Sequence, residues 1–202
     1  MSVEEVFVPF HHPQGAAPPV THVRSTLIAS SLRSIEARGR SADYAKVLDP
    51  KHRETIFSNI AAQWLAIEVG VAHYNACDAL GFSPAEAFEI GTAVGAHVQG
   101  TFLGTMLRAA KTAGVTPWVA LANTRKLYDR LFQGGDIAVI KLGPKEARVE
   151  IVGQAMCPIS YWRAGFRGVY QVGISLFCTK AYVTEIPRML TASSLAMRLA
   201  WA

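Results

Sequence analysis

The chain reads as an α+β protein with helices packed against an antiparallel sheet, and three observations predict it. Proline-headed helix starts and helical apolar spacing fill most of the first 135 residues. The period then changes from helical to alternating at IAVIKLGPKEARVEIVG. After that come one more helical stretch and two strand-like runs, AYVTEIP and LAMRLAW. Helices first, then a hairpin, a helix and a strand pair, is the order of a layered α+β domain and not of a βαβ repeat.

Asp49-Pro50, Ser83-Pro84 and Thr116-Pro117 each join an N-cap oxygen to a proline suited to the first helical position. Ser83 has Glu86 three residues on, which completes a capping box, and Gly114 follows Arg108 and Lys111 where that helix is expected to end. RSTLIASSLRSIEARG carries one further helix, and ETIFSNIAAQWLAIEVGVAHYNACDALG a second that is open to interruption. Two β-rich runs flank Gly143-Pro144-Lys145 as a hairpin, with Arg148 and Glu150 alternating against Ala147, Val149 and Ile151, so that one face is wet. A helix over roughly 159–177 precedes the last strand pair, where Leu195, Met197, Leu199 and Trp201 share one face.

At 202 residues, 50% hydrophobic and 17% charged, the chain is long enough for one sizeable core. We expect residues 1–20, rich in Gly and Pro, to be a flexible arm that carries His11 and His12. Residues 21–202 are expected to be a single ligand-binding-like domain. The net charge of +5 comes from scattered Lys and Arg with no basic run of five, which argues against nucleic acid. Cys77, Cys157 and Cys178 form no C-x-x-C pair, and the first residues lack a basic then apolar leader. Reduced thiols and a cytoplasmic location are the expectation.

EIGTAVGAHVQGTFLGTML, residues 89–107, admits a membrane span, a haem-ligand helix or a packed core helix. Gly91 and Gly95 lie on one side and Gly100 and Gly104 nearly opposite, so two neighbours can approach closely. Thr92, His97, Gln99, Thr101 and Thr105 interrupt the apolar run, and His97, Thr101, Thr105 and Arg108 align as a polar stripe. A core helix is therefore the reading, with no membrane span. His73 reads as a core histidine satisfied by hydrogen bonding.

No H-E-x-x-H, G-x-S-x-G, P-loop or dinucleotide fingerprint is present, so no catalytic residue is assigned. Gly165, Gly168 and Gly173 in YWRAGFRGVYQVG read as packing glycines, and Cys157 as an inert buried thiol. Trp118, Trp162, Phe166 and Tyr170 supply the aromatic surface of a candidate ligand pocket.

SPAEAFEIGTAVGAHVQGTFLGTML, TPWVALANTRKLYDRLFQGGDIAVIKL, YWRAGFRGVYQ and the terminal strand with Trp201 together resemble an uncharacterised family of myxobacterial paralogues, over roughly residues 23 to 201. That family is similar to the group holding 4-vinyl-reductase-type sensor domains, haem nitric-oxide-binding domains and Golgi-tethering subunits. The resemblance implies helices on an antiparallel sheet and an apolar small molecule held between them. The cysteines that bind metal in the sensor domains are absent from VTEIPRMLTASSLAMRLAW. The Tyr-x-Ser-x-Arg motif of the haem binders is not matched by Ser160-Tyr161-Trp162-Arg163. No zinc, haem or other cofactor is therefore expected. The expected function is a non-enzymatic sensor or adaptor that binds an apolar small molecule, pairs as a homodimer and signals through a protein partner. The alternative is a homodimeric scaffold without a ligand, and an enzyme comes third.

Overall fold

Strict alternation along Glu146–Val152 buries Ala147, Val149 and Ile151 and leaves Arg148 and Glu150 on the other face, which is how a one-sided sheet is built. The computed structural model describes residues 4–13, 15–58, 62–102 and 116–202, with the side chains of 98–102 excepted. Among the described residues the elements run β1 (Glu5–Val8), β2 (His22–Arg24), α1 (Ser25–Glu36), α2 (Ser41–Val47), α3 (Pro50–Phe57), β3 (Trp64–Ala66), α4 (Ile67–Ala79) and α5 (Pro84–Phe102). Then follow α6 (Pro117–Ala122), α7 (Thr124–Leu131), β4 (Phe132–Gln133), β5 (Asp136–Gly143), β6 (Glu146–Val152), α8 (Ser160–Ser175), β7 (Ala181–Glu185) and β8 (Ser194–Trp201).

Five strands form an antiparallel sheet in the order β1-β5-β6-β8-β7. The expected α+β layout, with its hairpin, helix and strand pair, is the observed one. Leu195, Met197 and Leu199 on β8 meet Ile151, Val149 and Ala147 on β6 in register, and all six are essentially inaccessible. The opposite face is laced by ion pairs, Arg148 to Glu4 and Glu150 and Arg198 to Glu146, while Lys141 meets Glu5 where β1 pairs with β5.

Two helix starts match the sequence in detail. Asp49 accepts the Lys51 amide at 2.9 Å, while Ser83 and Glu86 exchange backbone bonds at 2.8 and 3.2 Å. Thr116 heads α6 without a side-chain cap, and Asn123 separates α6 from α7.

The structure also differs from the pattern in places. The interrupted helix is broken by a strand, since Trp64–Ala66 pairs with β2, and β2 pairs with β4, in a small second sheet. Three-residue strands carry too few side chains to show a period. Glu5–Val8, inside the segment expected to be an arm, forms the edge of the main sheet beside β5. That end is fastened at Asp136, whose carboxylate accepts the His12 amide at 2.9 Å and meets the Arg125 guanidinium at 2.6 Å. Arg125 also donates to the Pro9 carbonyl at 2.8 Å. No described helix is long and apolar enough to cross a membrane. Gly104, Thr105, Arg108, Lys111 and Gly114 lie outside the described residues.

Candidate functional site

The site is set by how closely α5 and α8 cross. Gly91 faces Gly165 so tightly that a Cβ on Gly91 would overlap the Gly165 carbonyl, and one on Gly168 would overlap the Phe88 carbonyl. A Cβ on Gly95 would lie 2.9 Å from the Val169 Cα. These glycines bring backbone against backbone, as the small-residue spacing of both helices predicted for Gly91, Gly95, Gly165 and Gly168. Larger side chains beside the crossing hold the neighbouring helices apart, and a cleft remains between α1, α4, α5 and α8.

The cleft has about 30 Å³ of space for water-sized groups and about 360 Å³ in all with its partly open mouth. Its walls are Leu27, Ile90, Val94, Trp162, Phe166 and Val169, over a floor of Gly91 and Gly165. Trp162 and Phe166 stack with centroids 4.8 Å apart and planes 15° from parallel. Its polar end is made by Ser31, Tyr74 and Tyr161, with the Ser31 and Tyr161 hydroxyls 3.2 Å apart. Burial pushes the Tyr161 hydroxyl well above its ordinary pKa, so it stays a neutral donor.

Behind that polar end lies a buried relay. The His73 ring is inaccessible, its Nδ1 lies 2.7 Å from the Tyr44 hydroxyl and its Nε2 lies 3.5 Å from Cys77 Sγ. A neutral imidazole offers one donor and one acceptor, so two partners satisfy it. Burial pushes its pKa down to about 3 and keeps it neutral. His73 is thus a satisfied core histidine, with one partner a turn along α4 and the other on α2. Burial also pushes the Cys77 thiol upward, with hydrogen bonding from Ser31 and Tyr161 acting in the opposite direction.

Of the four aromatic residues picked from the sequence, Trp162 and Phe166 line the cleft and Tyr170 continues their row, 5.3 Å edge-on to Phe166. Trp118 is elsewhere. It packs edge-on between Phe7 and Trp201, each 5.0 Å away, and donates its indole N–H to the Pro144 carbonyl at 2.9 Å. Leu27, Ser31, Tyr74 and Tyr161 were missed because they come from three separate helices. The signal that pointed to them was the glycine pairing of α5 and α8, which marks where helices close. Cys157 is buried and its thiol pushed up to about 12, which suits a packing residue and not a nucleophile. The described cysteines are free, and no described group of three His, Cys, Asp or Glu is placed to hold a metal.

The architecture is that of the H-NOX fold. An Fe(II) unliganded H-NOX protein from K. algicida superposes with a TM-score of 0.65 at 10% identity, over 89% of this chain and 96% of that one. A structure solved to probe haem distortion in the H-NOX family gives 0.59 at 11% identity, over 88% and 94%. One solved to modulate haem redox potential through porphyrin distortion gives 0.56 at 12% identity, over 88% and 99%. No family model matches the sequence, and no curated protein does.

Those neighbours raise haem as a cofactor, and the described residues do not fit it. Both His73 nitrogens are engaged, His97 is exposed on α5, His12 is held by Asp136, and His22 bonds the Thr21 hydroxyl at 3.0 Å. Among the described residues no cation lines the cleft to receive propionates, and the backbone contact of α5 with α8 leaves no slot for a flat macrocycle between them.

Proposed function

We propose that this domain binds an apolar small molecule in the cleft between α1, α4, α5 and α8, without haem or zinc, and reports occupancy to a protein partner. The carrying observation is the cleft itself, with six apolar or aromatic walls and a few converging hydroxyls, the usual composition of a small-molecule site. The fold shared with the haem-containing neighbours supports a ligand-holding role by analogy only. Among the described residues lining the cleft there is no Cys, His, Asp, Glu or Lys, so binding and not catalysis is the reading. The alternative, a homodimeric scaffold without a ligand, draws on apolar side chains exposed on both edge strands, Val6 at 63% and Tyr182 at 56%.

Thermal-shift screening of small apolar molecules against the wild type and Val94→Trp, whose indole fills the cleft, tests the proposal. Compounds that stabilise the wild type and not the variant support it. No stabilising compound, or equal stabilisation of both chains, contradicts it.

A further inference from the structure

We propose that the cleft selects neutral molecules bearing one hydrogen-bond-accepting oxygen, such as a small ketone, and that the Ser31–Tyr161 hydroxyl pair reads that oxygen. This rests on the reading of the cleft as a small-molecule site.

The argument is a count of protons. Two hydroxyls 3.2 Å apart carry two donors, and the bond between them uses one. The other is left for a third group, and the sulfur of Cys77, whose titration both hydroxyls influence, is the weak acceptor beside them. A thiol sulfur is a weak acceptor, whereas a carbonyl oxygen is a strong one. A ligand oxygen arriving at this end of the cleft therefore takes the second proton in an O–H···O bond stronger than any the sulfur can offer. Both hydroxyls are buried, Ser31 at 2% and Tyr161 at 5% exposure, so water competes poorly for the same proton.

The charge of the ligand follows from the lining. Among the described residues no Lys, Arg or His lines the cleft, and the imidazole of His73 is held neutral by burial and by its two partners. A carboxylate entering would be desolvated without a counter-ion, which is far more costly than burying a neutral oxygen that gains a hydrogen bond. The rest of the molecule must be apolar and small, because Leu27, Ile90, Val94, Trp162, Phe166 and Val169 line a partly open cleft of about 360 Å³ in all.

The test compares three probes of similar size on the full chain, 2-butanone, its isostere 2-methyl-1-butene and butanoate, each titrated while the methyl signals of Leu27, Ile90, Val94 and Val169 are followed by NMR. Binding of 2-butanone should be about three- to tenfold tighter than that of the alkene, the value of one net hydrogen bond, with no saturable shift from butanoate. In Ser31→Ala/Tyr161→Phe the ratio should fall to about one with alkene affinity kept. Should that variant not fold, Cys77→Ser replaces it, since a stronger acceptor at 77 competes for the same proton and should lower the ratio. Equal affinity of the two neutral probes for the wild type overturns the inference while leaving the cleft as a binding site. So does a ratio that survives in the folded double variant or is unchanged in Cys77→Ser. Butanoate binding as tightly as 2-butanone overturns the neutrality of the ligand. No shift from any probe overturns the proposed function together with this inference.

Discussion

Replacing Gly91 and Gly165 separately with alanine should give changes of opposite sign at one helix crossing. Both glycines lie inside helices, where alanine gains about 1 kcal/mol over glycine from backbone entropy. At Gly91 the added methyl would overlap the Gly165 carbonyl, a backbone group that cannot rotate away, so α5 and α8 must separate. Overpacking of this kind costs about 1–3 kcal/mol, and the rigidity of the obstacle puts Gly91 near the upper end. The net loss for Gly91→Ala is then about 2 kcal/mol. At Gly165 a Cβ would meet the Ala87 carbonyl oxygen at 3.6 Å and the Gly91 Cα at 3.8 Å, which is ordinary contact. Gly165→Ala should therefore keep the helix gain of up to about 1 kcal/mol. Urea denaturation followed by far-UV circular dichroism reads both, and with a slope of about 2 kcal/mol/M the midpoints should move about 1 M down and about 0.5 M up. A Gly91→Ala chain at least as stable as the wild type, or equal losses in the two variants, would show that the helices do not meet backbone to backbone.

The Asp136 clamp predicts an acid limb of stability. Burial pushes its carboxyl pKa up, but the bonds it accepts from His12, Arg125 and the Ile137 amide outweigh this and set it at about 2, against about 4 in an unfolded chain. Its contribution is complete above about pH 4 and is lost as pH falls through 2, so Asp136→Asn should lose about 2–3 kcal/mol at pH 7 and flatten the dependence of the urea midpoint below pH 4. An unchanged acid limb in that variant contradicts the clamp. Purified protein should contain neither stoichiometric haem nor zinc, and a Soret band or a zinc content near one per chain would oppose the cleft as read. Light scattering of the full chain and of a chain starting at Thr21 addresses the expected homodimer. A monomer mass at all concentrations rejects it, and a dimer unaffected by truncation rejects a role for the first residues.

The larger architecture was legible because long elements repeat their signal. The Ser83–Glu86 capping box fixed where α5 begins, and the alternation of Ala147, Val149 and Ile151 fixed which face of β6 is buried. The glycines of α5 and α8 announced a close approach, but not that each helix was the other's partner. Short elements were not legible. The strands at 22–24, 64–66 and 132–133 are defined only by pairing across the chain, and Glu5–Val8 takes its place from Asp136 and Arg125, more than 100 residues away. Half of the aromatic set was placed at the cleft because Trp162 and Phe166 share a helix face with Gly165 and Val169. Trp118 has no such local tie, and its site is set by Phe7 and Trp201. The polar end was out of reach for the same reason, since Ser31 and Tyr161 meet across 130 residues.

Xenon tests the cleft most directly, because it enters apolar cavities without needing a polar contact. In methyl spectra under increasing xenon pressure, Leu27, Ile90, Val94 and Val169 should shift saturably while Leu195 and Leu199 in the sheet core stay fixed, and Val94→Trp should abolish the shifts. Uniform small changes across all methyls, or saturable shifts confined to residues away from α1, α4, α5 and α8, would contradict a small-molecule site between these helices.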